Sequence, residues 1–199
     1  AGSSAATVIS LFAAEARANG RKNKLKNYKG CIGADPIGLL AEDGRLNCTL
    51  DTLYDEMALA IHWCRKHMPD MKTIFVRSDG YHNNGANAVQ EAAFSIATAI
   101  EYIDAMLVRG LDINIRFGLS LGANFFMEIS KLRAAKIVWA KVTAAYGADE
   151  EDQKMDIFAR TSHFTETLYD PAVNILRTTS QAFSGVVGGV GSLCVAPYD

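Results

Sequence analysis

Thr73-Ile74-Phe75-Val76-Arg77-Ser78-Asp79-Gly80-Tyr81-His82 is the stretch on which the fold of this chain turns. Its first four residues are β-branched or aromatic and read as a strand that runs on to Arg77. Asp79-Gly80 then breaks the run, and a long helical pattern begins a few residues later. An imidazole between a strand and the helix that follows it lies at the carboxyl edge of a sheet, where α/β proteins and βα barrels bind ligands. His82 is therefore the first candidate for chemistry, with Tyr81 beside it.

The same rhythm extends both ways. Upstream, Ala5 to Ala18 reads as an amphipathic helix closed by Asn19-Gly20, and Tyr28 to Ile32 as a strand before Gly33-Ala34-Asp35-Pro36. Leu50 to His67 reads as a helix with Leu53, Met57, Ala60, Ile61 and Cys64 on one face. Downstream, Ala86 to Val108 is a helix with Val89, Ala92, Ala93, Ile96, Ile100, Ile103 and Leu107 at helical spacing. Ile113 to Leu121 is a strand, Asn124 to Ala145 a helix, Met155 to Arg160 a strand, Pro171 to Val186 a helix with proline in its first turn, and Ser192 to Val195 a fifth strand. Strands that alternate with helices imply parallel pairing through right-handed crossovers, in a barrel or an open doubly wound sheet. Five units are too few for an eight-stranded barrel. The missing initiator Met and the end directly after a strand, at Pro197-Tyr198-Asp199, lead us to expect a fragment of a longer chain. No linker or low-complexity segment divides residues 1–199, which read as a single domain.

Composition narrows the function classes. The chain has 199 residues, 49% hydrophobic and 21% charged, which fits a soluble globular domain and excludes a disordered or collagenous one. Twenty Lys and Arg against 22 Asp and Glu give a net charge of −2 without a basic stripe, so neither nucleic acid nor a membrane surface is the expected partner. The four cysteines, at 31, 48, 64 and 194, form no Cys-x-x-Cys pair and fit a reducing, cytoplasmic setting.

Other motifs carry less. His163 follows Arg160-Thr161-Ser162 at another strand end and would share a rim with His82, though a hydrogen-bonded loop histidine is the ordinary reading. Cys64 and His67, three apart on a helix, are only two ligands of the four that a structural zinc site needs. Gly185-Val186-Val187-Gly188-Gly189-Val190-Gly191 precedes a strand, the reverse of a dinucleotide loop, and reads as a helix-to-strand turn. Glu128, Lys131, Arg133 and Lys136 read as a solvated or rim face with local ion pairs.

Three blocks together resemble the methylmalonyl-CoA mutase family: Lys66-His67-Met68-Pro69-Asp70-Met71, Ser78 to His82, and Asn124-Phe125-Phe126-Met127-Glu128-Ile129-Ser130-Lys131-Leu132-Arg133-Ala134-Ala135-Lys136-Ile137-Val138-Trp139-Ala140. The resemblance implies an α/β segment of a (β/α)8 TIM-type barrel with about five parallel βα units, taken from the domain that binds acyl-CoA. It also implies adenosylcobalamin in the assembled enzyme, held by a separate domain, and no cofactor bound by this chain alone. Asp79 to Gly85 departs by one residue from the Asp-x-His-x-x-Gly loop that presents an axial histidine to cobalamin, so His82 is not expected to ligate cobalt.

The departures from the family's catalytic chains lie at strand ends. Where those chains carry an arginine for the substrate carboxylate, this one reads Gly33-Ala34-Asp35-Pro36-Ile37-Gly38-Leu39-Leu40, and an acidic Asp35 cannot replace a guanidinium fork. His82 matches the histidine that touches the thioester oxygen, but two residues are missing before Gly85-Ala86. Arg160-Thr161-Ser162-His163-Phe164-Thr165-Glu166 replaces an Arg-Thr-His-x-Gln-Thr-Ser-Gly run, and Leu193-Cys194-Val195-Ala196 replaces Leu-His-Thr-Asn. The expected protein is thus the small, non-catalytic subunit, a component of an isomerase in propionate metabolism, inactive alone and paired with a large catalytic subunit as a heterodimer, with Tyr81 and His82 vestigial. A divergent catalytic acyl-CoA mutase still using Tyr81 and His82 is the alternative; a free-standing α/β enzyme using His82 and His163 comes third.

Overall fold

The structure, a computed structural model, describes residues 4–112 and 115–198. Five parallel strands lie in the order β1-β2-β3-β4-β5: β1 is Gly30–Ala34, β2 Met71–Arg77, β3 Ile115–Leu121, β4 Asp156–Thr161 and β5 Ser192–Cys194. Helix α1 (Ala5–Ala18) precedes them, and between them come α2 (Pro36–Asp43), α3 (Leu50–His67), α4 (Asp79–Asn83), α5 (Ala88–Leu107), α6 (Phe125–Ala145) and α7 (Asn174–Gly188). This is the α/β class, with the strand order of a TIM-type barrel segment. Among the described residues, no helix is long and apolar enough to cross a membrane.

The chain forms two compact units. The first comprises Ala1–Val76 and Thr98–Arg116. Here α1 and α3 fall where their periodicity predicts, and Leu53, Met57, Ala60, Ile61 and Cys64 are buried together with Tyr54. Thr49 caps α3 by accepting from the Thr52 amide, Asp51 lies in its first turn, and Arg65, Lys66 and His67 meet the negative end of the helix dipole. Ile9, Ala16, Leu25, Ala60, Cys64 and Met68 form the core of this unit, with Phe12 edge-on to Tyr28 at 5.0 Å. Strand β1 begins two residues later than its composition suggests. Its register against β2 jumps between Cys31 and Ala34, and there a Cβ on Gly33 would lie 2.2 Å from the Cβ of Phe75, so only glycine allows the two backbones so close. Helix α2 has no apolar period long enough to announce it; Asp35 as N-cap and Pro36 in the first turn define it instead.

The second unit comprises Arg77–Ala97 and Phe117–Asp199. Asn87 and Gln90 form a reciprocal capping box, so α5 starts at Ala88 rather than Ala86. The buried face of α5 also differs from the expected apolar stripe. In this unit Val89 is exposed whereas Glu91 and Ser95 are buried; from Thr98 on α5 belongs to the first unit, where Leu107 is exposed and Thr98, Ala99 and Tyr102 are buried. Strand β3 carries Phe117 edge-on to Trp139 of α6 at 4.8 Å; its expected first residues, 113 and 114, lie outside the described residues. Asn124 caps α6. Helix α7 follows a single 3-10 turn at Pro171–Val173 and ends at Gly189, whose left-handed φ of 75° makes the turn toward β5. Gly188 is there for packing, since a Cβ would meet Leu132 Cδ1 at 2.4 Å. The glycine run is therefore the helix-to-strand turn expected of it, and Lys136 donates to the carbonyls of Gly188 and Gly189.

Candidate functional site

The carboxyl ends of β2, β3 and β4 bring together a buried polar network. Ser78, the residue after β2, donates its hydroxyl to Glu91 and its amide to the Gly118 carbonyl at 2.8 Å. The Ser120 amide of β3 donates to Glu91 Oε1 at 2.8 Å and to Ser78 Oγ at 3.1 Å. From α6, Lys131 Nζ donates to Glu91 Oε2 and to the Ser120 carbonyl, both at 2.7 Å. Glu128 Oε2 meets the same ammonium at 2.5 Å as an ion pair without hydrogen-bond alignment. One ammonium thus faces two carboxylates, and the Lys131 and Glu91 side chains are 1% and 0% exposed. Burial pushes the Glu91 carboxyl up, but His82, Lys131 and Ser78 outweigh it and hold the group down to about 2, so it is ionised at neutral pH. The set at 128, 131, 133 and 136 is accordingly a solvated face only in part, with Arg133 exposed and the expected local ion pair, Glu128–Lys131, buried. Glu128 and Lys131 are interior, Arg133 donates to the Val187 carbonyl at 3.2 Å, and Lys136 closes α7.

His82 stands at the edge of this network. It lies on α4, the single turn after β2, with its side chain 11% exposed. Its Nδ1 is 3.4 Å from Glu91 Oε2 and its Nε2 is 2.7 Å from Ser162 Oγ. In the neutral imidazole an ionised Glu91 favours the tautomer with the proton on Nδ1, which leaves Nε2 to accept from the Ser162 hydroxyl. Ser162 follows β4. Its amide donates to the Leu121 carbonyl at 3.0 Å and to Gln181 Oε1 at 3.1 Å, and its Oγ accepts from the Phe164 amide at 3.2 Å. The ring of Phe164 stands edge-on to the imidazole, 6.1 Å between centroids. On the other side, a Cβ on Gly122 would lie 3.5 Å from His82 Cε1 and 3.1 Å from Glu128 Oε1. Tyr81 is half-buried, its ring 5.5 Å from that of Phe94.

The remaining candidates separate from this cluster. His163 is adjacent to Ser162 in sequence but turns to Glu166, 2.9 Å from Nδ1, and Arg160, 2.8 Å from Nε2, as a hydrogen-bonded loop histidine. Asp35 is buried as the cap of α2; its Oδ1 accepts from the Gly38 amide at 3.0 Å and the Tyr102 hydroxyl at 2.6 Å. Tyr102 in turn accepts from the Ile37 amide at 2.9 Å, and burial, then Asp35, pushes its hydroxyl far up. Cys64 is buried with its thiol pushed up to about 11 by burial, and His67 lies against Trp63; among the described residues no three His, Cys, Asp or Glu side chains converge as a metal site. In the last strand-end loop, the Ala196 amide donates to Thr161 Oγ1 at 2.8 Å.

Sequence reading missed Glu91, Ser78, Ser120 and Ser162. One signal was available. Glu91, Ser95, Thr98, Ala99 and Tyr102 repeat at helical spacing along α5, and the block Glu128-x-x-Lys131 supplies a matching cation. An apolar-only stripe hides such a face.

Fold and site together define a βα-repeat protein of the TIM-barrel class whose strand edge is occupied by a buried, charge-paired polar network around one histidine. The family model described as methylmalonyl-CoA mutase matches residues 1–199, and the chain belongs to that family. It is 34% identical over 176 residues to the methylmalonyl-CoA mutase small subunit of Streptomyces virginiae, covering 86% of this chain and 28% of that protein. To the methylmalonyl-CoA mutase of Escherichia coli (strain K12) it is 36% identical over 147 residues, covering 70% and 20%. To the small subunit of Propionibacterium freudenreichii subsp. shermanii it is 31% identical over 175 residues, covering 84% and 26%. The chain thus spans about a quarter of the length of the curated relatives it matches.

Proposed function

We propose that this chain is part of the acyl-CoA-binding barrel domain of a small, non-catalytic methylmalonyl-CoA mutase subunit. It acts in the cytoplasm by stabilising a large catalytic subunit in a heterodimer that interconverts methylmalonyl-CoA and succinyl-CoA with adenosylcobalamin. The observation that carries this reading is the state of His82, whose two ring nitrogens face Glu91 and Ser162 and so offer nothing to a substrate carbonyl. Asp35, folded back as a helix cap, supports it, because the loop where the family's catalytic chains carry a substrate-binding arginine here presents a carboxylate spent on its own backbone. Three relatives are named as small subunits. Nor do the loop histidines fit as an axial ligand to cobalt: His82 and His163 both have each ring nitrogen engaged. No step of the reaction is assigned to this chain.

The test is turnover of methylmalonyl-CoA by the full-length protein with adenosylcobalamin, alone and with its large partner. The expected result is none alone, with activity and a raised melting temperature when the partner is present. Turnover by the isolated protein would overturn the proposal. A second reading, a divergent catalytic mutase, keeps Tyr81 and His82 at work, and a large loss of activity in the His82→Ala complex would favour it.

A further inference from the structure

We propose that Ser162 is the specificity-determining residue of this strand edge, its hydroxyl masking His82 so that the imidazole cannot receive an acyl thioester or any other hydrogen-bonding ligand. The inference deepens the reading of a non-catalytic subunit and rests on it for the class of ligand excluded.

The geometry leaves the imidazole a single nitrogen to use. Nδ1 points inward to Glu91, whose other contacts are Ser78, the Ser120 amide and Lys131, so that side of the ring is fixed by a buried network. Nε2 is the nitrogen that could meet a ligand, and Ser162 Oγ already occupies it at 2.7 Å. Ser162 is 3% exposed and cannot readily turn away, because its amide is held by Leu121 and Gln181 and its oxygen by the Phe164 amide. Gln181 is itself 1% exposed and donates to Thr165 Oγ1 at 2.6 Å, which braces the turn that carries Phe164. The groups that face the imidazole are therefore Glu91 from α5 and Ser162 and Phe164 from beyond β4, while Glu128 of α6 and the imidazole both lie close to Gly122. A ligand seeking Nε2 must break the Ser162 bond and leave that buried hydroxyl without its acceptor.

The probe is diethyl pyrocarbonate, which acylates neutral imidazole and needs neither acyl-CoA nor a partner subunit, so its failure is separate from failure of the proposed function. Modification of each histidine in the full-length protein is followed by peptide mass spectrometry, with exposed His62 as the internal reference. His82 is expected to react slowly in the wild type, faster by roughly tenfold in Ser162→Ala, and slowly again in Ser162→Thr, which restores the hydroxyl. Trp139 fluorescence reports whether each variant keeps its packing against Phe117. Wild-type His82 reacting as fast as His62, or an unchanged His82 rate in a folded Ser162→Ala protein, would overturn the proposal; so would Ser162→Thr behaving like Ser162→Ala.

Discussion

Replacing Lys131 by methionine tests whether the strand-edge network is as dry as its geometry indicates. Methionine keeps much of the length of the side chain and removes the ammonium, leaving Glu91 and Glu128 buried without their shared cation. Removing one partner of a buried ion pair costs about 3–5 kcal/mol, since the surviving charge keeps its desolvation penalty and loses its compensation. The carboxylate shows what the whole network contributes. His82, Lys131 and Ser78 together hold Glu91 from an ordinary 4.5 down to about 2, which at about 1.4 kcal/mol per pH unit is about 3 kcal/mol, of which Lys131 supplies a part. Because the folded value lies below the unfolded one, that stability is present above pH 4.5 and is lost as the pH falls through about 2. Chemical denaturation of the full-length protein at pH 7 is expected to show Lys131→Met less stable by about 3–5 kcal/mol, with a melting temperature lower by roughly 6–20 °C for a unit of this size. The gap should narrow toward pH 4, where the orphaned carboxylates can take up protons in the folded state, and it should shrink in the Glu91→Gln/Lys131→Met double variant. A penalty under about 1 kcal/mol at pH 7, or one independent of pH, would refute the reasoning and mean that water reaches the ammonium.

Three further outcomes are expected. Gly33→Ala places a Cβ 2.2 Å from Phe75 Cβ and 2.5 Å from its amide nitrogen, so the β1–β2 register must shift; loss of about 3 kcal/mol or of soluble protein is expected in urea unfolding and expression trials. Tyr102→Phe leaves the buried Asp35 and the Ile37 amide each short of a partner, and a melt should show a loss of about 1–3 kcal/mol, with Tyr54→Phe, the loss of one 3.3 Å bond to Glu101, milder. His163→Ala removes only exposed contacts to Arg160 and Glu166, so unfolding should move by less than about 0.5 kcal/mol and His82 reactivity not at all; a large change in either would show that His163 belongs to the site.

Much of this protein is written in local pattern. The alternation of strand and helix, the bounds of α1 and α3, the glycine turn after α7 and the strand-edge address of His82 all follow from periodicity and turn chemistry, which depend on neighbours in sequence. The resemblance carried by Asn124 to Ala140 gave the family, and the family model confirms it over residues 1–199. What local pattern could not supply is which polar residues are inside. Glu91 and Lys131 are 40 positions apart, His82 and Ser162 are 80 apart, and each member of such a pair looks solvated until the other arrives. A lone Glu on a helix is read as surface because burying it alone is costly; only the fold, by bringing Lys131, Ser78 and the Ser120 amide to the same carboxylate, makes burial the stable choice. Likewise the sequence by itself placed a histidine at a sheet edge where ligands bind, and the tertiary structure decided that its outward nitrogen is already taken, because the chain beyond β4 returns Ser162 to within a hydrogen bond of it.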